Sequence, residues 1–301
     1  MKLPYYILVL LALVISDISG HQAEVGSSPR NCQDIREHGF DEVGHYVVYN
    51  TVNNNTEKAL MIYCDENDGM QFVDKENGTA ERSDARNCKE LQDQGVIHDG
   101  VNIIYPFPDQ PESPVLVLCD QTTQGGGWTA ITRRDDWFEG LTDFNRTFEE
   151  YAIGFGDSNY DFYIGNEVIY FLTDSSLNEL WITIEDTDGE TGYAHYQYFH
   201  VAARDEYQLP PYIMDCGLYE GTIGDGLEYN NGMGFSTIDQ DTDMSDADCA
   251  AIFGGGGWWH RACTNVCLTC PYGTWDFRWY SEDYQYILIK AQMMVRPSAS
   301  T

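Results

Sequence analysis

A short run of aspartates constrains the folding of this chain more than any other feature. Five acidic side chains fall within ten residues, at Asp239, Asp241, Asp243, Asp246 and Asp248. Carboxylates held this close together repel one another unless a cation lies among them. The run therefore predicts a calcium-binding loop.

Two other interpretations of the aspartates are available. The first three have the spacing that begins an EF-hand loop, but that loop needs glycine at its sixth position and glutamate at its twelfth. Those positions hold Met244 and Ala250, so an EF-hand is excluded. The remaining alternative is a solvated acidic surface loop, which is ordinary in so acidic a protein.

Composition and the N-terminus predict an extracellular globular protein. The 301 residues are 43% hydrophobic and 14% aromatic, which suffices for a substantial core in one large or two small domains. Lys2, the apolar run at 5–15 and small or polar residues up to Gly20 predict a secretory signal peptide over 1–20. No later run approaches the roughly 20 apolar residues that span a bilayer, so we expect no membrane insertion.

Charge and motifs narrow the function classes. The net charge of −33 disfavours nucleic acid and anionic membranes as partners. The sequence has no G-x-S-x-G, no H-E-x-x-H and no phosphate-binding loop, so we expect no enzyme. N-x-S/T sequons at Asn54, Asn77 and Asn145 predict glycosylation and suit a secreted protein.

The cysteines reveal an internal repeat. RNCQDIREHG at 30–39 is echoed by RNCKELQDQG at 86–95, and each copy continues through apolar segments to a Cys-Asp pair. In a secreted protein this pattern predicts the disulfides Cys32–Cys64 and Cys88–Cys119. Each copy is interpreted as a short helix tied to a small hairpin. Residues 21–85 are therefore predicted to contain a truncated duplicate at 30–69 followed by a polar linker.

Residues 86–297 contain several ordered blocks, which include NCKEL, VLCDQTTQGGGWTAITRR, DFNRTFEEYAIGFG, NGMGFSTIDQDTD and CAAIFGGGGWWHRAC. Together these blocks resemble the fibrinogen C-terminal domain family, which includes fibrinogen chains, ficolins, tachylectins, tenascins and angiopoietins. The resemblance implies an α+β fold in three parts. These are a small disulfide-tied N-terminal sheet, a central antiparallel sheet with helices, and a loop-rich calcium-binding C-terminal subdomain, with 298–301 as a tail.

The resemblance also implies particular site residues. The calcium (Ca2+) ligands would be the side chains of Asp241 and Asp243 and the carbonyls of Ser245 and Ala247, with Asp239 just outside them. In the lectin members a neighbouring pocket holds the acetyl group of N-acetylated sugars and contains a cis peptide. The matching residues are Phe253, Ala262, Cys263, Thr264 and Tyr272, where Thr264 stands in place of the family's histidine.

The family pattern pairs Cys249 with Cys263, which leaves three cysteines. We expect Cys216 to bond Cys267 or Cys270 and one thiol to remain for an intermolecular bridge, which would give a disulfide-linked homo-oligomer. Zinc binding by the cysteines of this segment is disfavoured in an oxidising compartment.

The resulting functional hypothesis is a secreted, calcium-stabilised protein that binds acetylated glycans in innate immunity or surface recognition. Its aromatic pocket walls would come from Phe253, Trp258, Trp259 and Tyr272, although the two tryptophans suit a protein core equally well. The alternative is an adhesive or receptor-binding extracellular module, which binds proteins and no sugar.

Overall fold

The computed structural model describes most of the sequence from residue 44 onward. The described ranges are 44–52, 56–64, 70–72, 84–111, 113–135, 142–158, 160–204, 210–282 and 284–298. The chain divides into two compact units, Met1–Val73 and Asp74–Thr301. The predicted signal peptide, Cys32 of the predicted Cys32–Cys64 bond and the sequons at Asn54 and Asn77 fall outside the described residues.

The first unit contains a three-stranded antiparallel sheet. Its strands are β1 (Gly44–Val52), β2 (Thr56–Cys64) and β3 (Met70–Phe72), in that order. Gly44 pairs with Cys64 and Ile62 with Phe72, so β2 lies in the centre. The first apolar segment of the repeat, predicted as a strand, lies within β1.

The second unit is built on one eleven-stranded sheet. Seven strands form a continuous antiparallel path in the order β11-β10-β9-β14-β6-β5-β4. Two short pairs join it at the side, β7 and β8 through β6, and β12 and β13 through β14. The strands are β4 (Gly100–Ile104), β5 (Val115–Asp120), β6 (Trp128–Arg134), β7 (Phe155–Gly156), β8 (Phe162–Tyr163), β9 (Asn178–Asp186), β10 (Thr191–Val201), β11 (Met214–Gly221), β12 (Val266–Cys267), β13 (Arg278–Tyr280) and β14 (Gln285–Pro297).

Short helices flank this sheet. They are α1 (Cys88–Asp93), α2 (Phe148–Ile153), α3 (Asn166–Asp174) and α4 (Cys249–Ile252). Thr147 and Glu150 form a capping box at the start of α2, which satisfies backbone N–H groups that the first turn leaves open. The α+β fold prediction is confirmed.

The N-terminal part of this unit is tied by a disulfide and continuous with the large sheet. The Cys88–Cys119 bond joins α1 to β5 as expected. β5 pairs with β6 only at Cys119–Thr129 and Asp120–Trp128. The backbone enters β6 through a tight glycine turn, where a Cβ on Gly126 would lie 2.2 Å from a backbone oxygen. The small sheet is therefore an extension of the central one.

Aromatic side chains dominate the core of this unit. Four of the tryptophans that the structure describes are fully buried, Trp128, Trp258, Trp259 and Trp279. Of the two interpretations of Trp258 and Trp259, the core position is the one observed. Within the described ranges, no helix has the length and apolar character needed to cross a bilayer.

Candidate functional site

The aspartates of the acidic loop have different structural roles. Asp239 Oδ1 accepts a hydrogen bond from the backbone N–H of Phe148 at 2.8 Å, at the first residue of α2. Asp248 caps α4 by accepting from the N–H of Ala251 at 2.9 Å. A carboxylate at a helix N-terminus satisfies an open donor and complements the helix dipole. These two aspartates are therefore structural caps.

Asp241 and Asp243 form the part of the loop that is suited to a cation. Asp241 Oδ1 accepts from the Asp243 N–H at 3.1 Å, and the Asp243 carboxylate accepts from the N–H groups of Ser245 and Cys249. Burial, and to a lesser degree the neighbouring Asp241 charge, raise the pKa of Asp243. None of the ion pairs among the described residues involves an aspartate of this loop.

The oxygen atoms of the loop fit a low-affinity site for a hard divalent cation. No three acidic, histidine or cysteine side chains converge in metal-binding geometry within the described ranges, so a site here would rest on two carboxylates, carbonyls and water. The carbonyl oxygens of Ser245 and Ala247 accept no hydrogen bond from any described residue. Calcium takes six to eight oxygen ligands of these types, and water supplies part of the set in many sites.

A disulfide connects the acidic loop to the neighbouring turn. The Cys249–Cys263 bond is present, as the resemblance implied. The N–H of Met244 donates to the carbonyl of Arg261 at 2.7 Å, so the loop and the turn are also joined by their backbones. The peptide bond between Ala262 and Cys263 is cis, again as implied. Within this turn Ala262 is exposed and Cys263 is half-buried.

The structure places Thr264 inside the protein rather than on a pocket wall. The residue is only 4% exposed. Its hydroxyl accepts from Asn230 Nδ2 at 2.7 Å and donates to the carbonyl of Val266. This hydroxyl already donates one hydrogen bond and accepts another, so it has no proton left to donate to a ligand. A direct ligand contact through Thr264 is therefore not available in this structure.

Phe253 has a cationic neighbour that the sequence analysis missed. The ring is 8% exposed, and the guanidinium carbon of Arg278 lies 4.7 Å from its centroid. Arg278 also donates to the carbonyl of Thr264, which fixes the guanidinium over the ring. His260 packs on the same ring of Phe253. Burial lowers the pKa of His260 to about 4, so its imidazole is neutral. Arg278 lies 25 residues after Phe253 in sequence, and no local motif marks it.

Tyr272 lies in a different environment from Phe253. Its ring centroid lies 4.0 Å from the guanidinium carbon of Arg134, and its hydroxyl donates to Asp161 at 3.1 Å. Burial raises the pKa of the Tyr272 phenol. Tyr272 lines a cavity of about 280 Å³ that does not include Phe253 among its lining residues.

The predicted pairing of Cys216 is wrong. Cys267 and Cys270 bond each other, and Cys216 is a free thiol that is 5% exposed. Burial raises the pKa of the Cys216 thiol, which makes it a poor partner for an intermolecular bridge. Cys216 lies in β11 opposite Phe199 of β10, within the central sheet. With Cys267 bonded to Cys270, no thiolates remain in this segment for zinc.

The sequence is similar to a known family over most of its length. The sequence profile described as fibrinogen beta and gamma chains, C-terminal globular domain, matches residues 84–298. Ryncolin-4 from Cerberus rynchops is 34% identical over 227 residues, which is 72% of this chain and 63% of that protein. The chain therefore spans less than two thirds of this relative.

Solved structures with the same fold are also similar. The fibrinogen-like globe domain of human ANGPTL6 is 31% identical with a TM-score of 0.63, covering 73% of this chain and 99% of that one. The lamprey fibrin D-dimer, in complex with the peptide ligand Gly-His-Arg-Pro-amide, is 25% identical with a TM-score of 0.63 and covers 72% of this chain and 74% of that one.

Proposed function

This protein belongs to the family of the C-terminal globular domains of fibrinogen beta and gamma chains, and on that premise we propose that it is a secreted, calcium-stabilised recognition protein. Its ligands in this proposal are glycans that carry acetyl groups, bound beside the acidic loop. The role is recognition of microbial or host surfaces and involves no catalysis. Secretion is supported by the predicted signal peptide and by the disulfides.

One observation carries the calcium part of the proposal. Asp241 and Asp243 lie together without a basic partner among the described residues, next to two carbonyls that accept no hydrogen bond there. A bound divalent cation would balance the paired charges and supply oxygen coordination across the loop. Extracellular calcium modules bind at roughly 0.1–1 mM, which matches a structural ion outside the cell.

The glycan part is supported by the turn that the calcium loop holds. The Cys249–Cys263 bond and the Met244–Arg261 hydrogen bond join the loop to the exposed backbone at Ala262. Arg278 donates to the carbonyl of Thr264, next to this turn, and its guanidinium packs over the buried ring of Phe253. Loss of calcium would loosen the turn and weaken any ligand bound against it.

Retention of the purified protein on N-acetylglucosamine resin tests this function. We expect retention in calcium, release by a chelator and release by free acetate. The Asp241→Asn variant, which keeps the Oδ1 hydrogen bond but loses the charge, should bind poorly at the same calcium concentration. A folded, calcium-loaded protein that the resin does not retain would exclude the acetyl-binding function.

A second candidate is a protein-binding module without sugar binding. Two observations favour it: the hydroxyl of Thr264 is buried and already hydrogen-bonded, and Trp275 in the neighbouring loop is 75% exposed. Exposed aromatic side chains are enriched at protein interfaces. The lamprey fibrin structure contains a peptide ligand, so the peptide Gly-His-Arg-Pro-amide is a direct probe. Saturable peptide binding with no resin retention would select this function.

A further inference from the structure

A cavity outside the acidic loop contains groups that neither proposed function uses. Its volume is about 280 Å³, and its walls include Arg134, Phe144, Tyr272 and Pro271. Arg134 is 2% exposed, and its guanidinium carbon lies 4.1 Å from the Phe144 ring centroid and 4.0 Å from that of Tyr272. The cavity is therefore a preformed aromatic recess with a fixed cation in its wall.

Asn145 belongs both to the rim of this cavity and to a glycosylation sequon. Its backbone N–H donates to Asp143 Oδ1 at 2.9 Å, and its backbone bridges to Gly256. Its side chain packs against Gly255, where an added Cβ would lie 2.4 Å from Asn145 Cγ. The residue is exposed, and its carboxamide forms no hydrogen bond with any described residue. The acceptor nitrogen is thus held at the cavity and is chemically unengaged.

Thr147, the third residue of the sequon, also caps a helix. Thr147 accepts from the N–H of Glu150 as the N-cap of α2, and the Glu150 side chain accepts from the Thr147 N–H. Serine, asparagine and aspartate serve at this position as well as threonine. The cap alone therefore does not require the threonine that completes the sequon.

We propose that Asn145 carries an N-linked glycan and that its first N-acetylglucosamine occupies the adjacent cavity. In the attachment step, Asn145 Nδ2 bonds to C1 of the sugar of a polyprenyl-pyrophosphate-linked oligosaccharide. The C1–phosphate bond breaks, the polyprenyl pyrophosphate leaves and Nδ2 loses one proton. The covalent link then makes binding in the cavity intramolecular, which replaces weak affinity by a high effective concentration.

The cavity suits one sugar better than a longer ligand. Drug-sized molecules occupy about 300–1,000 Å³, and this volume lies just below that range. The half-buried side chains of Pro271 and Tyr272 offer apolar surface to a sugar. The second carboxylate oxygen of Asp143 accepts no hydrogen bond from any described residue, so it can accept from a sugar hydroxyl. The inference is independent of acetyl binding beside Phe253.

Glycopeptide mass spectrometry and matched variants test the proposal in protein secreted from eukaryotic cells. Asn145→Gln and Thr147→Asn both remove the sequon, and the asparagine of the second variant keeps the helix cap. Thr147→Ser keeps both sequon and cap. We expect a modified Asn145 peptide in the wild type and in Thr147→Ser, and a fall in Tm of about 2–4 °C in the two variants that lose the glycan.

Enzymatic trimming of the glycan distinguishes the effect of the first sugar from that of the remaining sugars. An endoglycosidase that leaves one N-acetylglucosamine should leave the Tm unchanged, since the sugar in the cavity remains. The Asn77→Gln variant controls for the loss of a glycan elsewhere and should not change the melting of the second unit. A Tm that falls to the level of Asn145→Gln after trimming would overturn the proposed occupant.

The acetyl methyl resonance of the remaining sugar reports its surroundings directly. In trimmed protein with a ¹³C-labelled acetyl group, ring currents of the cavity aromatics should shift this methyl signal upfield of its value in a free glycopeptide. An unmodified Asn145, or a methyl signal at the free position together with equal Tm values for all variants, would overturn the proposal.

Discussion

Four of the five aspartates of the acidic loop should separate experimentally into two caps, Asp239 and Asp248, and two ligands, Asp241 and Asp243. Asp239→Ala removes the 2.8 Å hydrogen bond to the N–H of Phe148, which lies 91 residues earlier in the sequence. Loss of a side-chain hydrogen bond to an N–H of the first helical turn costs about 1 kcal/mol, within the range of about 0.5–2 kcal/mol known for N-caps. For a domain of this size, about 1 kcal/mol corresponds to a fall in Tm of about 2–4 °C. Calcium and chelator should leave this difference unchanged.

Asp241→Asn should have the opposite signature. Asparagine keeps the oxygen that accepts from the Asp243 N–H, so the fold in chelator should be nearly as stable as the wild type. At about 10 mM calcium, a site with a Kd of about 0.1–1 mM stabilises the native state by about 1.4–2.7 kcal/mol. The wild type and Asp239→Ala should show this gain, and Asp241→Asn should lose most of it.

Differential scanning calorimetry of the three proteins in calcium and in chelator measures both effects. The expected calcium-induced rise in Tm is roughly 3–11 °C for the wild type and for Asp239→Ala. The assignment of roles would be refuted if Asp239→Ala abolished the rise. It would also be refuted if Asp241→Asn retained the full rise.

Two further predictions concern stability away from this loop. His195 lies between two glutamates, and its hydrogen bond to Glu179 is the largest cause that raises its pKa above 6.5. Its stabilising effect should be full below pH 6.5 and be lost as pH rises through the raised pKa. Urea unfolding across about pH 6–9 should show a smaller slope of stability against pH for His195→Gln, and equal slopes would contradict this. Replacing Cys267 and Cys270 together by alanine should lower the free energy of unfolding by about 2 kcal/mol, because the bond closes a loop of about four residues. No loss would mean that these thiols are not joined.

Local sequence patterns predicted the fold well where the deciding interactions are themselves local. The run of aspartates at 239–248 predicted a loop, and within it the Asp243 carboxylate accepts hydrogen bonds from the N–H groups of Ser245 and Cys249. The repeat of Cys-containing blocks predicted the Cys88–Cys119 bond within one small unit. In both cases the contacting residues are no more than 31 positions apart in the sequence.

The candidate site was predicted less completely, because its contacts join distant segments. The sequence suggested a bond from Cys216 to Cys267 or Cys270, but the register of β11 on β10 buries Cys216 in the core. Thr264 was aligned with a ligand-binding position, yet Asn230 and Val266 engage its hydroxyl. Arg278 had no motif to mark it and emerged only from its packing on Phe253.

The sequence by itself determined that this protein has an acidic, disulfide-framed loop on an α+β domain of the fibrinogen type. Charge density, cysteine spacing and residue blocks are properties of the sequence, so they are readable without coordinates. Tertiary structure alone decided which aspartates remain open to a cation and which cap a helix, and it placed Asn145 at the mouth of an aromatic cavity. The physical reason is that the hydrogen-bond partners and the burial of each residue depend on segments that meet only when the sheet has formed.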